Sequence, residues 1–433
     1  MVQLAVLGIA GWKRRIKIFL RYMFVIGLGR RGIEYSGDFV GGQVVVLACL
    51  ATASCNNDAN DAALLAEGNS KFTAKMFAEV SNKNPRKSFV LSAFSVLTPL
   101  AQLSLAAEGN SHDELLRAIG LPNDETTKTA FRQVDSNLRS VKGVDLKMAN
   151  RIYVANGYTL NKDYEEVVKQ TFQSEVKNVD FTASQSTAKE INTWVEQQTN
   201  NRIKDLVDPN TLDADTRAVL VNAIYFKGTW KDQFEKKRTS ENDFYLSHRK
   251  KIKVSTMYRK GDYNYGESAE LNAKILELPY VGDESAFYII LPNNVVGISE
   301  LLDRVKDSSS LERALNSLYE IEVEAYIPKF KIETTTNLKE ILPEIGVKGI
   351  FDASKAKLNR LLTNESDLYI SDAIQKAFIE INEEGAEAAA ANEFGISYLA
   401  ALVPNTVTFR ADHPFVFVLK TGRNILFSGV FHP

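Results

Sequence analysis

Histidines and cysteines are few in this chain, and their spacing predicts no catalytic or metal site. None of the four histidines belongs to an H-E-x-x-H spacing, and the two cysteines lack zinc-site spacing. No G-x-S-x-G elbow, Walker loop or dinucleotide fingerprint occurs. A Ser-His-Asp triad needs no fixed spacing, but no residue nominates one, and His413 before Pro414 is typical of a turn. We therefore expect no enzyme, no metal and no cofactor.

The most informative segment is an alanine-rich stretch about fifty residues before the end of the chain. Alanine favours a helix, whereas Gly385, Gly395 and Pro404 interrupt one. With a period of two, one face is small and then apolar, and the other carries the charges. The first face holds Ala386, Ala388, Ala390, Asn392, Phe394 and Ile396, and the second holds Glu387, Ala389, Ala391, Glu393 and Gly395. This pattern is typical of a strand that has yet to form; an alanine-rich linker or a solvated helix is the alternative.

The elements around this segment indicate an α+β chain with large mixed sheets. Apolar spacing predicts helices over residues 62–81, 188–207 and 335–342, and Ser111 with Glu114 predicts a helix start with a capping box. Strands are predicted over residues 146–154, 218–226, 273–279, 286–291, 406–410, 415–420 and 424–431. Helices dominate early and strands dominate late, which argues against a regular alternation of strand and helix.

The N-terminus predicts secretion. Residues 44–53 form a short apolar run that ends Ala51-Thr52-Ala53, which is typical of a signal peptide and its cleavage site. The run is too short to span a bilayer. Residues 1–42 form an atypical basic extension, as a wrong start in the gene model would produce. We expect residues 43–53 to be the signal-peptide core and residues 54–433 a single domain; a basic amphipathic membrane anchor is the alternative for the N-terminus.

The composition of the remaining chain excludes several partners. Cleavage after Ala53 leaves 380 residues and moves the net charge from −2 to −7, because the removed segment has seven Lys/Arg and two Asp/Glu. A mildly acidic protein is a poor candidate for nucleic acid. Four cations between residues 132 and 147 are interrupted by Asp135 and Asp145, so we expect a solvated face and no heparin site. Cys55 would be the one cysteine left and could form no internal disulfide. Asn364 begins an N-glycosylation sequon.

Several motifs, in order and at matching spacing, resemble those of the serpins, the family of serine-protease inhibitors that trap their target by a conformational change. The resemblance covers residues 66–433. It rests on the segments Phe89-Val90-Leu91-Ser92-Ala93-Phe94-Ser95, Leu220-Val221-Asn222-Ala223-Ile224-Tyr225-Phe226-Lys227-Gly228-Thr229-Trp230, Pro328-Lys329-Phe330, the hinge Glu383-Glu384-Gly385-Ala386-Glu387-Ala388-Ala389-Ala390-Ala391, Asp412-His413-Pro414-Phe415 and Leu426-Phe427-Ser428-Gly429. The hinge sequence resembles that of secreted insect serpins of the antichymotrypsin/antitrypsin type.

The resemblance implies a serpin fold with about nine helices, three β-sheets and an exposed reactive-centre loop at about residues 383–405. It implies that Ser92, Ser95 and Asn222 lie in the shutter under the central sheet, that Trp230 lies in the breach where the loop begins to insert, and that Lys329 pairs with Glu383. Gln375 stands where many serpins have a shutter histidine. An amide both donates and accepts, so the network can survive this departure. Each shutter residue and Trp230 is equally compatible with ordinary buried structure.

Family spacing from Gly385 places the scissile bond at Leu399-Ala400. Ser397 and Tyr398 precede it, and cleavage after Tyr398 is the register alternative. The flanking side chains are apolar or aromatic, without Arg or Lys, which suits the hydrophobic primary pocket of a chymotrypsin-like, elastase-like or cathepsin G-like protease. We expect a monomeric, extracellular, haemolymph-type suicide substrate with a protease as its partner and no membrane association.

Two other functions share this fold or this loop. A serpin that acts as a carrier or chaperone is the first alternative, although such members usually break the small-residue hinge that this chain keeps. Inhibition of another protease class, including cysteine proteases, is the second.

N-terminal sequencing of the protein secreted from expressing cells is expected to give a first residue immediately after Ala53. A mature chain that begins near Met1 would contradict the signal-peptide interpretation, because residues 44–53 would then have been retained.

Overall fold

The computed structural model describes residues 43–363, 367–385 and 406–433. The chain divides into two compact units, Met1–Cys55 and Asn56–Pro433, and the second contains both sheets described below. The helices of the described residues are α1 (Gln43–Lys83), α2 (Ala93–Ala106), α3 (Gly109–Ile119), α4 (Asp124–Ser140), α5 (Lys162–Phe172), α6 (Ser184–Gln198), α7 (Ile298–Arg304), α8 (Ser308–Leu315) and α9 (Leu338–Ile341).

One sheet has five strands in the order β10-β11-β4-β2-β3. Its strands are β2 (Val144–Ala155), β3 (Glu175–Val179), β4 (Ala218–Gly228), β10 (Phe330–Asn337) and β11 (Asp372–Ile381). At its centre β11 runs parallel to β4, from Asp372 opposite Val219 to Ile379 opposite Phe226. The outer neighbours β10 and β2 run antiparallel to β11 and β4, respectively.

Strand β4 is buried on both faces. Its alternate residues Leu220 and Ile224 belong to the main core, whereas Val219 and Val221 join a second core with Ile191 of α6. This is why its sequence is a continuous apolar run instead of an alternation. Helix α2 contacts β2 and β4, and α6 contacts β2. Helices therefore pack against both faces of the central sheet.

The second sheet has nine strands, in the order β1-β14-β13-β8-β7-β6-β9-β12, with β5 paired to β6. Its strands are β1 (Phe89–Leu91), β5 (Ser240–Tyr245), β6 (Lys251–Ser268), β7 (Ala273–Pro279), β8 (Ser285–Pro292), β9 (Tyr319–Pro328), β12 (Val407–Arg410), β13 (Phe415–Thr421) and β14 (Asn424–Phe431). The α+β class is confirmed. The third sheet is not separate within the part of the chain described, because the long strand β6 pairs with β7 near its end and with β5 and β9 elsewhere.

Helix α2 shows how the sequence sets these elements. Ser92 is its N-cap, with its hydroxyl accepting a hydrogen bond from the backbone of Ser95 at 3.2 Å. All fourteen residues of the helix are buried, which explains why its sequence is mainly apolar on every face. Ser92 and Ser95 lie at its start, next to the central sheet.

Three of the sequence predictions about elements are wrong in part. Helix α6 ends at Gln198, nine residues before the predicted end, because Asn200 and Asn201 adopt left-handed backbone conformations with φ of 51° and 59°. Residues 335–337 belong to strand β10, where threonines at 334–336 favour β structure, and only residues 338–341 are helical.

The capping box is also wrong. Glu108 is the N-cap of α3, and the Glu114 carboxylate instead accepts hydrogen bonds from the backbone N–H groups of Lys348 and Gly349. The predicted strands are confirmed, with boundaries within two residues at each end.

Candidate functional site

The turn after strand β11 is fixed against the segment that follows β4. The indole N–H of Trp230 donates to the Asn382 carbonyl at 2.8 Å, and the Trp230 backbone N–H donates to the Glu384 carbonyl at 3.2 Å. The Phe234 backbone N–H donates to the Glu383 carbonyl at 2.9 Å. The first residues of the predicted hinge are thus already bonded to the end of the strand beside the central junction.

Trp230 packs against this turn and is itself part of the core. It is 2% exposed and stacks on Tyr280, with ring centroids 4.4 Å apart and planes 13° from parallel. A buried indole requires an acceptor for its N–H, and the Asn382 carbonyl supplies it. Trp230 is therefore a core residue and also hydrogen-bonds to the turn that begins the predicted hinge. The two interpretations of this residue, ordinary core and contact with the start of the loop, are compatible.

Gly385 sits where no other residue fits. Its φ is +78°, and a Cβ atom there would lie 2.4 Å from the Trp230 nitrogen and 2.6 Å from the Gly228 carbonyl oxygen. Both the backbone angle and the close approach require glycine. The position lets the turn after β11 pass close to the backbone of Gly228 and Trp230.

The two hinge carboxylates each have a lysine partner. Glu383 is 4% exposed; its Oε2 lies 2.9 Å from Lys329 Nζ, and its Oε1 accepts from the Thr239 hydroxyl at 3.0 Å. Burial opposes ionisation of Glu383, but the bonds from Lys329, the backbone and Thr239 outweigh burial and hold its pKa below the usual value. Glu384 forms an ion pair with Lys236. The hinge is thus fastened by charge as well as by backbone.

A buried polar cluster lies beneath the parallel junction. Ser92, Ser95, Asn222 and Gln375 are each fully buried. The Ser95 hydroxyl donates to Asn222 Oδ1 at 2.9 Å, and Asn222 Nδ2 donates to the Ser95 carbonyl at 2.9 Å. Gln375 Nε2 lies 2.8 Å from the Ser92 carbonyl, 3.0 Å from the Ser95 hydroxyl and 2.6 Å from Asn222 Oδ1. The structure thus brings together the four residues that the sequence assigned to the shutter.

Gln375 acts on both sides of the junction. Its Oε1 accepts from the Ser92 backbone N–H at 3.3 Å while its amide nitrogen faces three acceptors. An amide nitrogen has two hydrogens, so at most two of those three bonds form at once. The amide does, however, connect helix α2 to β4, and the network is complete without a histidine at this position.

Asn150 is a member of this cluster that the sequence reasoning missed. Its Oδ1 accepts from Asn222 Nδ2, and it lies opposite Asn222 in the β2–β4 register. Asn222 in turn lies opposite Gln375 across the parallel junction. Three amides therefore form a row across β2, β4 and β11. The available signal was a polar residue between Met148 and Ile152 at alternate positions of a strand.

The described site residues hold strands and turns together and provide no evident catalytic group. His413 is buried, and both of its ring nitrogens already have hydrogen-bond partners: one lies 2.8 Å from Asp412 and the other 2.8 Å from the Pro292 carbonyl. Within residues 43–363, 367–385 and 406–433, no group of three or more His, Cys, Asp or Glu residues could hold a metal ion. No helix in the same ranges is long and apolar enough to cross a membrane.

The remaining predicted site residues lie outside the described residues. These are the hinge positions Ala386, Glu387, Ala388, Ala389, Ala390 and Ala391, the bond Leu399-Ala400 with Ser397 and Tyr398, and Asn364. The chain re-enters the described structure at Thr406 and joins the second sheet through β12, parallel to β9.

Comparison with known proteins places this geometry in context. The family model for Serpin (serine protease inhibitor) matches residues 67–433. The chain is 54% identical to Antichymotrypsin-2 of Bombyx mori over 86% of its length and 98% of that protein, and 51% identical to Antitrypsin of Bombyx mori over 90% and 99%. It superposes on the crystal structure of Serpin48 of Tenebrio molitor with a TM-score of 0.78 and 33% identity, over 85% and 98% of the two chains.

Replacing Glu383 by Gln is expected to lower the melting temperature by a few degrees at pH 7, because a buried charge-assisted hydrogen bond is lost. A carboxyl whose folded pKa is depressed stabilises the fold above its unfolded pKa of about 4.5 and loses that contribution as pH falls through the folded pKa. The difference between wild type and Glu383→Gln should therefore vanish at low pH. Melting curves between pH 3 and pH 7 measure it.

Glu344→Gln is the matched control, because Glu344 is exposed and forms no ion pair within the described ranges. Its melting temperature should follow that of the wild type at every pH. A constant difference between wild type and Glu383→Gln across the whole range would contradict the proposed role of the Lys329 pair.

Proposed function

Since this chain belongs to the serpin family of serine protease inhibitors, we propose that it traps its target by inserting its own loop as a new strand between β4 and β11. The protease serine attacks the Leu399 carbonyl, an ester forms, and the Leu399-Ala400 peptide bond breaks. The new amine at Ala400 stays with the C-terminal fragment. Insertion then carries the attached protease away before water can release it.

The parallel pairing of β4 and β11 is the observation that carries this proposal. The hinge follows β11 directly, so a segment that turns back at Gly385 runs antiparallel to β11. Because β11 is parallel to β4, the same segment is also antiparallel to β4. One inserted strand thus replaces a single parallel ladder by two antiparallel ladders, and antiparallel pairing is slightly more stable per residue.

The net gain is about one ladder of hydrogen bonds. The β4–β11 junction covers eight residue pairs, and a new strand of similar length forms roughly ten additional backbone hydrogen bonds at about 0.5–1.5 kcal/mol each. The gain of about 5–15 kcal/mol exceeds what the polar cluster contributes through a few bonds of about 1 kcal/mol. Insertion is therefore favourable once cleavage frees the loop end.

The loop sequence suits a strand that must pass between two existing ones. On β11 the residues Gln375, Ala377 and Ile379 face the buried side. Ala386 and Ala388 supply almost no bulk at the alternate positions that would share that side. The charged residue Glu387 falls on the opposite face.

The target is a chymotrypsin-like, elastase-like or cathepsin G-like protease. Leu399 and its neighbour Tyr398 fit a hydrophobic primary pocket, and the segment from Ser397 to Val403 has no cation for a trypsin-like pocket. The relatives are named both Antichymotrypsin and Antitrypsin, so the bond residues of this chain carry the assignment. The protein acts as a secreted monomer after loss of residues 1–53, with Asn364 as its glycosylation site.

Ala388→Glu is expected to turn the inhibitor into a substrate, because a charge at an inward position must be desolvated for insertion. Incubation with chymotrypsin should give a complex stable in SDS for the wild type and mostly cleaved, free protein for the variant. Ala389→Glu, which places the same charge on the outward face, is the matched control and should still form complex. Equal complex yields for both variants and wild type would contradict strand insertion.

Cleavage by chymotrypsin is expected to release a C-terminal fragment that begins at Ala400, as mass spectrometry of the denatured complex would show. A fragment that begins at Leu399 would indicate the alternative register. The cleaved protein should melt on the order of 10 °C or more above the intact one, because it has gained a strand. An unchanged melting temperature would show that the cleaved loop does not insert, and the protein would then be a non-inhibitory serpin.

A further inference from the structure

Four side chains contact one another in a line across the strands of the second sheet that follow the loop, with the two central rings tilted by 47°. The guanidinium of Arg238 lies 4.3 Å from the ring centroid of Tyr258, and that ring lies 4.7 Å from the ring of Tyr326. The guanidinium of Arg410 lies 3.7 Å from the Tyr326 centroid on the far side. We call these four residues the Arg–Tyr row.

The register of the sheet builds most of this row. Tyr258 on β6 lies opposite Tyr326 on β9, and Tyr326 lies opposite Arg410 on β12. The flanking residues Ala325 and Ile327 are buried, so the row occupies the other face of the sheet. The two tyrosines are partly exposed and the two arginines are exposed. The row is therefore held by three strands and remains accessible.

The arginines of the row are not closely paired with carboxylates. The pKa of Glu235 is held below its usual value chiefly by Lys237 and to a lesser extent by the charge of Arg238. Within the described ranges, neither Arg238 nor Arg410 forms an ion pair with a carboxylate. The carboxylate of Asp243, which lines a cavity beside Arg410, is shared by Lys251 and Lys253.

The other carboxylate of that cavity, Asp412, lies 2.8 Å from the His413 ring. The hairpin between β5 and β6 adds the exposed cations Arg249 and Lys250. The exposed cations of the row and of this hairpin belong to a protein whose net charge is −2.

The position of the row brings it under an enzyme that engages the loop. Arg410 is the last residue of β12, which begins at Val407, immediately after the loop. Ten residues separate Arg410 from Ala400, and a fully extended chain of that length spans about 35 Å at most. A protease bound at the predicted bond is therefore tethered within that distance of the row.

We propose, on the basis of the trapping function above, that the Arg–Tyr row is a second docking surface for the target protease, and that it binds an acidic patch beside the active-site cleft. Tyrosine and arginine are the residues most enriched among interface hot spots. The stack holds both arginines in place before binding, so little side-chain freedom is lost. The exposed positive charge of its two arginines would also accelerate encounter with an acidic partner.

The test is equilibrium binding of the full protein to chymotrypsin whose catalytic serine is replaced by alanine, so that neither cleavage nor trapping contributes. The variant R238A/R410A is expected to bind roughly tenfold more weakly than wild type at low salt, with a smaller difference at about 0.3 M salt. Association with active chymotrypsin should slow by a similar factor while the fraction that forms stable complex stays unchanged.

Arg423→Ala is the matched control. Arg423 is an exposed arginine in the turn between β13 and β14, and β13 is five strands from β12 in the sheet order, so its removal should change neither affinity nor rate. Arg410→Lys keeps the positive charge and should therefore retain most of the salt-dependent part of the affinity for the inert enzyme. Melting curves on every variant separate docking from stability.

Three outcomes would overturn the proposal. Wild type and R238A/R410A binding the inert enzyme equally well is the first, and failure of the wild type to bind it is the second. The third is a loss that follows a fall in melting temperature and does not depend on salt, because the row would then only hold β12 to β9. Failure of trapping by active chymotrypsin, with row-dependent binding of the inert enzyme intact, would count against the proposed function and leave the docking surface standing.

Discussion

Strand β11 runs parallel to β4 at the centre of the five-stranded sheet, and the described chain after β11 ends in the tight turn at Gly385. Every backbone group of a buried strand needs a partner, so the two strands pair with each other in the absence of anything between them. A loop segment that returned antiparallel to β11, as we propose, would have the direction that pairs with both strands at once. Under the proposed function the closed sheet is complete, but the sheet with the inserted strand would be more stable.

The residues around this junction stabilise the closed sheet and also define where it can open. Gln375 and Asn222 bond across the junction, and both bond to the start of helix α2. Buried amides are costly when unpaired, so the cluster favours one arrangement of the strands strongly. The cluster is small relative to a whole strand of backbone bonds, however, so under the proposed function it would delay opening without preventing it. Trp230 and Gly385 confine the bend to the edge of the same junction.

The Arg–Tyr row gives the second sheet a part in the same reaction. β12 connects the loop to a rigid sheet, so an enzyme that reaches the bait also approaches a fixed, positively charged surface. The five-stranded sheet would then accept the inserted strand, and the nine-stranded sheet would position the enzyme before cleavage. Arg410 lies on β12, the strand that follows the loop in sequence. Arg410 of the proposed docking surface and Ala400 of the predicted scissile bond are therefore only ten residues apart along the chain.

Much of the fold was readable from the sequence where the pattern was local. Apolar runs indicated β4, β7 and β8, and strand-type patterns indicated the last three strands before the C-terminus. The errors arose where the apolar pattern predicted a helix but the local β preference of threonines, together with strand pairing, favoured a strand. Residues 335–337 joined β10 because they pair with β11, and Asn150 was overlooked because its importance depends on Asn222 beside it.

The sequence by itself determined the run of small residues after Gly385, the apolar segment from Tyr398 to Val403, the absence of an evident catalytic motif and the resemblance to a family, because each depends on residue type and spacing along the chain. Tertiary structure alone decided that Gln375 and Asn222 meet across a parallel junction, that Gly385 must be glycine to clear Trp230, and that two tyrosines and two arginines stack in a row. Those facts depend on strand order and register, which bring together residues that are far apart in sequence.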